Sequence, residues 1–171
     1  LNTWSLSVEE QLYLILSAAL ALSWWAGRRL IRDGRTRAFL MVCTLMLASF
    51  ALNIVLSFAT APVGPFEKPT VFAFYSSLTR VWEFGFGCLL AFAPQVRGRL
   101  SWLLGFIGVG LLVTSLFTIT PTTPFPGLAA LLPVTATALI IASGPGGPVA
   151  RGCSVKPLVW VGDISYTWYL W

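Results

Sequence analysis

Histidine is absent from all 171 residues, so a reaction that needs an imidazole as base or proton shuttle is not completed by this chain alone. Charge is scarce too: Asp, Glu, Lys and Arg make up 10% of the chain, against roughly 25% in an average soluble domain. That nearly excludes a water-soluble single domain. It also excludes a disordered chain and a nucleic-acid binder, because the 11 Lys and Arg are diluted among apolar runs and do not form a basic stripe. The three cysteines are an odd number without paired spacing, so neither a disulfide framework nor a metal site is expected. No Gly-x-x-x-x-Gly-Lys phosphate loop, Gly-x-Ser-x-Gly elbow or His-Glu-x-x-His pair occurs, and no bound cofactor is expected.

What is present is hydrophobic: 57% of the residues, with a mean hydropathy of +0.81. A bilayer core is crossed by a helix of roughly 20 apolar residues, and runs near that length recur at 6–26, 38–61, 71–93, 102–119 and 127–143, with a sixth at 157–171 cut short at Trp171. Breakers fill the gaps: Gly27 and Gly34, then Pro62, Pro65 and Pro69, then Pro94 and Gly98, then Pro121, Pro124 and Pro126, then Gly144 to Pro148. The alternation of barrel strands is missing. The expected fold is an all-α integral membrane protein of five transmembrane helices plus a truncated sixth, part of a larger polytopic bundle. Leu1 in place of an initiator Met, and an end inside an apolar run, read as a piece of a longer protein.

Arginines set the expected orientation. Arg28, Arg29, Arg32, Arg35 and Arg37 fill the first gap, Arg97 and Arg99 the third, and Arg151 and Lys156 the fifth, whereas the second holds Lys68 alone and the fourth none. The positive-inside rule makes the odd gaps cytoplasmic and the Leu1 end extracytoplasmic. Trp4, Trp102, Trp160 and Trp171 lie near span ends, where aromatic anchors sit.

Three clusters need explanation. Arg80 and Glu83 stand one helical turn apart inside the third span, on a stripe with Ser76 and Gly87. They form either a static ion pair that fixes packing or the lining of a polar cavity. At the start, Ser7-Val8-Glu9-Glu10 matches a capping box, with Ser7 as cap and Glu10 reaching back. Glu9 is left over, with Tyr13 four residues on, in hydrogen-bonding reach or serving as an interface anchor. At the end, Asp163 stands near Ser165 and Tyr166, either as an N-cap or as part of a site.

These clusters together resemble the membrane acyltransferase-3 family, which moves acyl groups, often acetyl, onto hydroxyls of cell-envelope glycans and related acceptors. Trp4-Ser-Leu-Ser-Val-Glu9-Glu-Gln-Leu-Tyr13 looks like its Trp-Ser-Leu-x-Val-Glu-x-Gln-Phe-Tyr signature, with Leu12 for Phe and Ser17 where a Pro often follows. Arg80-Val-Trp82-Glu83-Phe84 resembles its Arg-x-Trp-Glu-Phe segment, and Ser165-Tyr166-Thr-Trp-Tyr169-Leu170 its Ser-Tyr-x-x-Tyr-Leu stretch. The resemblance implies catalytic roles for Glu9, Arg80 and Glu83 and substrate contacts from Trp4, Ser7, Tyr13, Asp163, Ser165 and Tyr166. It implies acyl-CoA, acetyl-CoA above all, as donor, an envelope glycan or lipid-linked sugar as acceptor, and membrane lipid as surroundings, with no nucleic acid. The location implied is a bacterial plasma membrane. The family's catalytic His and basic motif belong to earlier helices, so this piece alone is expected to be inactive. A transporter or flippase for envelope polysaccharide is the competing reading, although the internal repeat usual in transporters is not seen.

Overall fold

The computed structural model describes residues 4–27, 31–60, 63, 68–94, 96–120, 123 and 127–171, with the side chains of Trp4, Ala26 and Leu170 left aside. Every element among them longer than a turn is helical. The chain divides into two compact units, one built from Trp4–Phe92 with Thr123–Ala130, the other from Ala93–Thr122 with Leu131–Trp171.

The first unit holds α1 (Trp4–Ala26), α2 (Gly34–Phe58), α3 (Pro69–Tyr75) and α4 (Val81–Leu90). Val8, Leu12 and Leu16 recur every fourth residue, which puts them on one face of α1. That face is buried with Val81 of α4 and is flanked by Leu45, Phe84 and Cys88. Asp33 caps α2: its carboxylate accepts the Thr36 N–H at 2.7 Å and the Thr36 hydroxyl. These bonds, the Thr36 hydroxyl first, hold the Asp33 carboxyl below its ordinary pKa.

The second unit holds α5 (Arg99–Thr118), α6 (Leu131–Ala142), α7 (Pro148–Cys153) and α8 (Lys156–Leu170). Here α5 lies close against α6 because Gly108 offers no side chain. A Cβ there would stand 2.7 Å from Ile140 Cγ1 and 2.8 Å from the Ala136 carbonyl. Small residues that let backbones approach are the usual contact of membrane helices. The Ser101 hydroxyl ties α5 to the Ser143 carbonyl just past α6. Gly98 and Gly144 adopt φ of +71° and +74° at the turns beside these helices, a conformation that only glycine enters without strain.

Polar side chains are buried beside the apolar ones, and many large apolar side chains are exposed. Asn53, Thr79, Ser49, Ser101 and Ser143 are buried, while Leu14, Leu116 and Phe117 are exposed. Lipid makes such an arrangement favourable, since apolar surface facing acyl chains costs nothing and hydroxyls must pair inside the protein. Three helices, α1, α2 and α5, are long and apolar enough to cross a bilayer, and α4 and α6 are shorter apolar helices. The chain is a multi-pass, all-helical membrane protein.

Several expectations change. The run 71–93 is not one helix: it breaks between Tyr75 and Val81, so Arg80 is the N-cap of α4 and its stripe with Ser76 is interrupted. Ser7 caps nothing, because α1 already begins at Trp4. Asp163 is no N-cap either, since α8 starts at Lys156 and carries it in mid-helix. The Gly144–Pro148 gap is a turn closed by Gly147 N–H to Gly144 O, after which Pro148 opens α7. Arg28, Arg29 and the prolines at 62, 65, 121, 124 and 126 lie outside the described residues.

Candidate functional site

The break between α3 and α4 is held by side chains that replace the lost helical hydrogen bonds. Ser76-Ser77-Leu78-Thr79 interrupts the helical ladder, although the Ser76 N–H still bonds the Phe72 carbonyl and the Arg80 N–H the Ser77 carbonyl. Thr79, fully buried, shares its hydroxyl proton between the carbonyls of Ala73 (2.6 Å) and Ser76 (2.8 Å). From α2, Ser49 donates to the Leu78 carbonyl at 2.6 Å and accepts the Trp82 N–H at 3.2 Å. One hydroxyl thus serves both ends of the gap. Trp82 itself has no exposed surface and sits edge-on to Phe50 and Phe86, with ring centroids 5.1 and 6.2 Å away.

At the start of α4, Arg80 donates from Nε (3.1 Å) and Nη2 (3.0 Å) to one oxygen, Oε2, of Glu83. The pair expected from the one-turn spacing is therefore formed. It is mostly shielded, with side chains 26% and 14% exposed, and the guanidinium Nη1 lies outside the pair. Glu83 occupies the first turn of α4, where the positive end of the helix dipole favours a carboxylate. A cation so oriented, with its counterion fixed on one side, can receive a second anionic oxygen on the other.

The opening cluster comes to the same unit. The Tyr13 hydroxyl donates to Glu9 Oε1 at 2.7 Å, and the Tyr13 ring stands edge-on to Phe84, 6.4 Å between centroids. Because Glu9 and Tyr13 are one turn apart on α1, beside the Val8–Leu12–Leu16 face that packs on α4, the first motif touches the second through Tyr13 and Phe84. Ser7 is exposed on the same helix, and the Trp4 side chain is not among those described. Asp163, Ser165 and Tyr166 belong to the other unit, on α8. Asp163 and Tyr166 are exposed there, and Ser165 bonds back to the Gly162 carbonyl at 2.7 Å.

Sequence reasoning missed Ser49, Asn53, Thr79 and the burial of Trp82. A signal existed: Ser49, Asn53 and Ser57 recur every four residues in an otherwise apolar helix, which marks a polar seam facing protein. Ser57 bonds the Asn53 carbonyl at 2.8 Å, and both Asn53 Nδ2 and Trp82 Nε1 are buried donors without a partner among the described residues.

Fold and site together define a multi-pass helical membrane protein with an arginine–glutamate pair at a helix break. The chain is 29% identical over 185 aligned residues to the peptidoglycan O-acetyltransferase OatA of Listeria monocytogenes, covering 99% of this chain and 28% of that protein. It is 28% identical over 184 residues to the putative peptidoglycan O-acetyltransferase YrhL of Bacillus subtilis, covering 99% of this chain and 27% of that protein. No family model and no solved structure matches. The chain is similar along nearly its whole length to proteins named peptidoglycan O-acetyltransferases, and it spans little more than a quarter of the length of the curated relatives it matches.

Proposed function

We propose that the protein carrying this chain is a membrane O-acetyltransferase that modifies a hydroxyl of a cell-wall glycan, peptidoglycan being the acceptor favoured by the names of its relatives. The observation that carries this reading is similarity along 99% of the chain to proteins of that name, in a chain whose Glu9–Tyr13 pair packs by the Tyr13 ring on Phe84, the residue that follows the Arg80–Glu83 pair. In the reaction, the acceptor oxygen attacks the acyl carbonyl of a thioester donor such as acetyl-CoA, the C–O bond forms, the C–S bond breaks and the hydroxyl proton passes to a base. An alcohol needs that base within hydrogen-bond reach. The chain has no histidine to act as one.

Arg80 faces the charge that develops: its Nη1 donors are aimed at the oxyanion or a donor phosphate, while Glu83 keeps the guanidinium in place. A fixed cation in a poorly hydrated site contributes about 3–4 kcal/mol to such a step. Glu9 orients the base or the acceptor hydroxyl, and Tyr13 holds Glu9. Trp4, Ser7, Asp163, Ser165 and Tyr166 are candidate acceptor or donor contacts. We read α3 with α4, α6 and α8 as further crossings in a bacterial plasma membrane, arginine-rich ends inside, so that a cytoplasmic donor and an outside acceptor reach one protein.

The broken α3–α4 helix also supports a transporter or flippase, since discontinuous helices build the substrate sites of those proteins. Labelled-acetyl transfer by membranes containing the intact protein separates the two. The expected result is acetylated glycan, lowered about 10²-fold in Arg80→Gln and Glu9→Gln and about tenfold in Tyr13→Phe, which removes one positioning hydrogen bond. Acceptor that crosses sealed vesicles without gaining acetyl would overturn the enzymatic reading.

A further inference from the structure

Arg37 is counted above among the arginines that set orientation, yet it is only 7% exposed. Its guanidinium lies 5.0 Å over the Trp24 ring and Nη1 reaches the Trp24 carbonyl at 3.5 Å. Its Nε is buried without a partner among the described residues. Two glycines make the seat: a Cβ at Gly27 would stand 3.0 Å from Arg37 Cδ, and one at Gly34 would stand 2.6 Å from the Trp24 ring. Among the described residues no carboxylate pairs with Arg37, and the nearby Asp33 carboxylate is engaged by Thr36. A sequestered cation without a counterion is costly.

The missing anion has a place. Arg37 lines a cavity of about 410 Å³ whose other walls include Leu22, Ile31, Leu40, Met41 and Thr44. Both wall helices are long and apolar enough to cross a bilayer. Exposed Trp25, Arg32 and Arg35 mark the same end as headgroup depth. From Arg37 to Thr44 the wall runs about 10 Å along α2 toward the bilayer middle.

We propose that this crevice between the end of α1 and the start of α2 binds one anionic phospholipid, with its phosphate on Arg37 and the upper part of one acyl chain along Leu22, Leu40 and Met41. A water-soluble anion would leave the apolar wall uncovered, and a zwitterionic lipid, whose phosphate is already balanced by its own ammonium, would answer Arg37 less well than one with a net negative headgroup. The site is independent of the transfer reaction and rests only on the membrane reading of α1 and α2.

The test uses the intact protein in a neutral maltoside detergent, with thermal unfolding and native mass spectrometry reading the binding of phosphatidylglycerol, phosphatidylcholine or inorganic phosphate. Phosphatidylglycerol is expected to raise the melting temperature and to bind at least about fivefold more tightly than phosphatidylcholine, the worth of one basic residue at a headgroup. Arg37→Met should abolish that preference, and Arg35→Gln should keep it. Met41→Trp, which fills the crevice and spares the cation, should abolish it as well and serves if Arg37→Met does not fold. Equal binding of the two lipids, equal stabilisation by inorganic phosphate, an Arg35→Gln loss as large as that of Arg37→Met, or an unchanged preference in Met41→Trp would each overturn the proposal.

Discussion

The hydroxyl of Ser49 accepts the backbone N–H of Trp82 at 3.2 Å and donates its own O–H to the carbonyl of Leu78 at 2.6 Å. A single side chain from α2 thereby closes the gap on which Arg80 and Glu83 are mounted. Ser49→Ala strands one buried donor and one part-buried acceptor, and the expected loss of stability is about 1–3 kcal/mol. Thermal unfolding of the intact protein in detergent reads it, with Ser49→Thr as the variant that keeps the hydroxyl. A Ser49→Ala protein that melts like the parent would show that the break is held by something else.

Arg80 and Glu83 act as a unit in the proposed chemistry, so their losses should not add. Arg80→Gln and Glu83→Gln are each expected to lower acetyl transfer by about 10²-fold. The double variant should fall little below the worse single, because the second change removes a partner that has already lost its task. Additive losses in this cycle would mean that the two side chains work apart.

Close approach of α5 and α6 depends on Gly108, where an added methyl meets backbone that cannot move aside. Gly108→Ala is expected to destabilise by about 1–3 kcal/mol. Gly110 lies on the same helix with nothing within 4 Å of its would-be Cβ. Gly110→Ala should therefore be neutral or slightly stabilising through helix propensity. The two melting temperatures side by side check the claim, and equal shifts would contradict it.

Asp33 makes stability depend on pH in a defined direction. Its carboxyl is held below the ordinary value by the Thr36 hydroxyl and amide, so the stabilisation is complete above the unfolded pKa of about 3.9 and disappears as pH falls through the lower folded value. Asp33→Asn keeps an acceptor for the cap but does not ionise. The difference in melting temperature between parent and Asp33→Asn should favour the parent at neutral pH and shrink below about pH 4. A difference that stayed constant down to pH 2 would remove Asp33 from the acid-labile groups.

Much of this was legible in residue order. The Arg80–Glu83 pair follows from a three-residue spacing, and the Tyr13–Glu9 bond from a four-residue spacing, because helix geometry alone brings such positions together. The bounds of α1, α2 and α5 lie within a few residues of the apolar runs, since a 20-residue hydrophobic stretch in lipid satisfies its backbone only as a helix. The Ser7 cap and the Asp163 cap failed for one reason: each is a helix-start signal that the chain overrides by continuing helix on its N-terminal side.

By itself the amino-acid sequence determined that this protein crosses membranes as helices and where its charged groups pair locally, because hydrophobic run length and helical periodicity are properties of neighbouring residues. Tertiary structure alone decided that the third run breaks at Ser76–Arg80, that Ser49 spans the break from another helix, and that Arg37 is enclosed against Trp24 rather than solvated. Each of these depends on a partner 13 to 33 positions away. Such contacts are fixed by helices packing side by side, where an unpaired carbonyl or a cation is answered by whichever group the neighbouring helix presents.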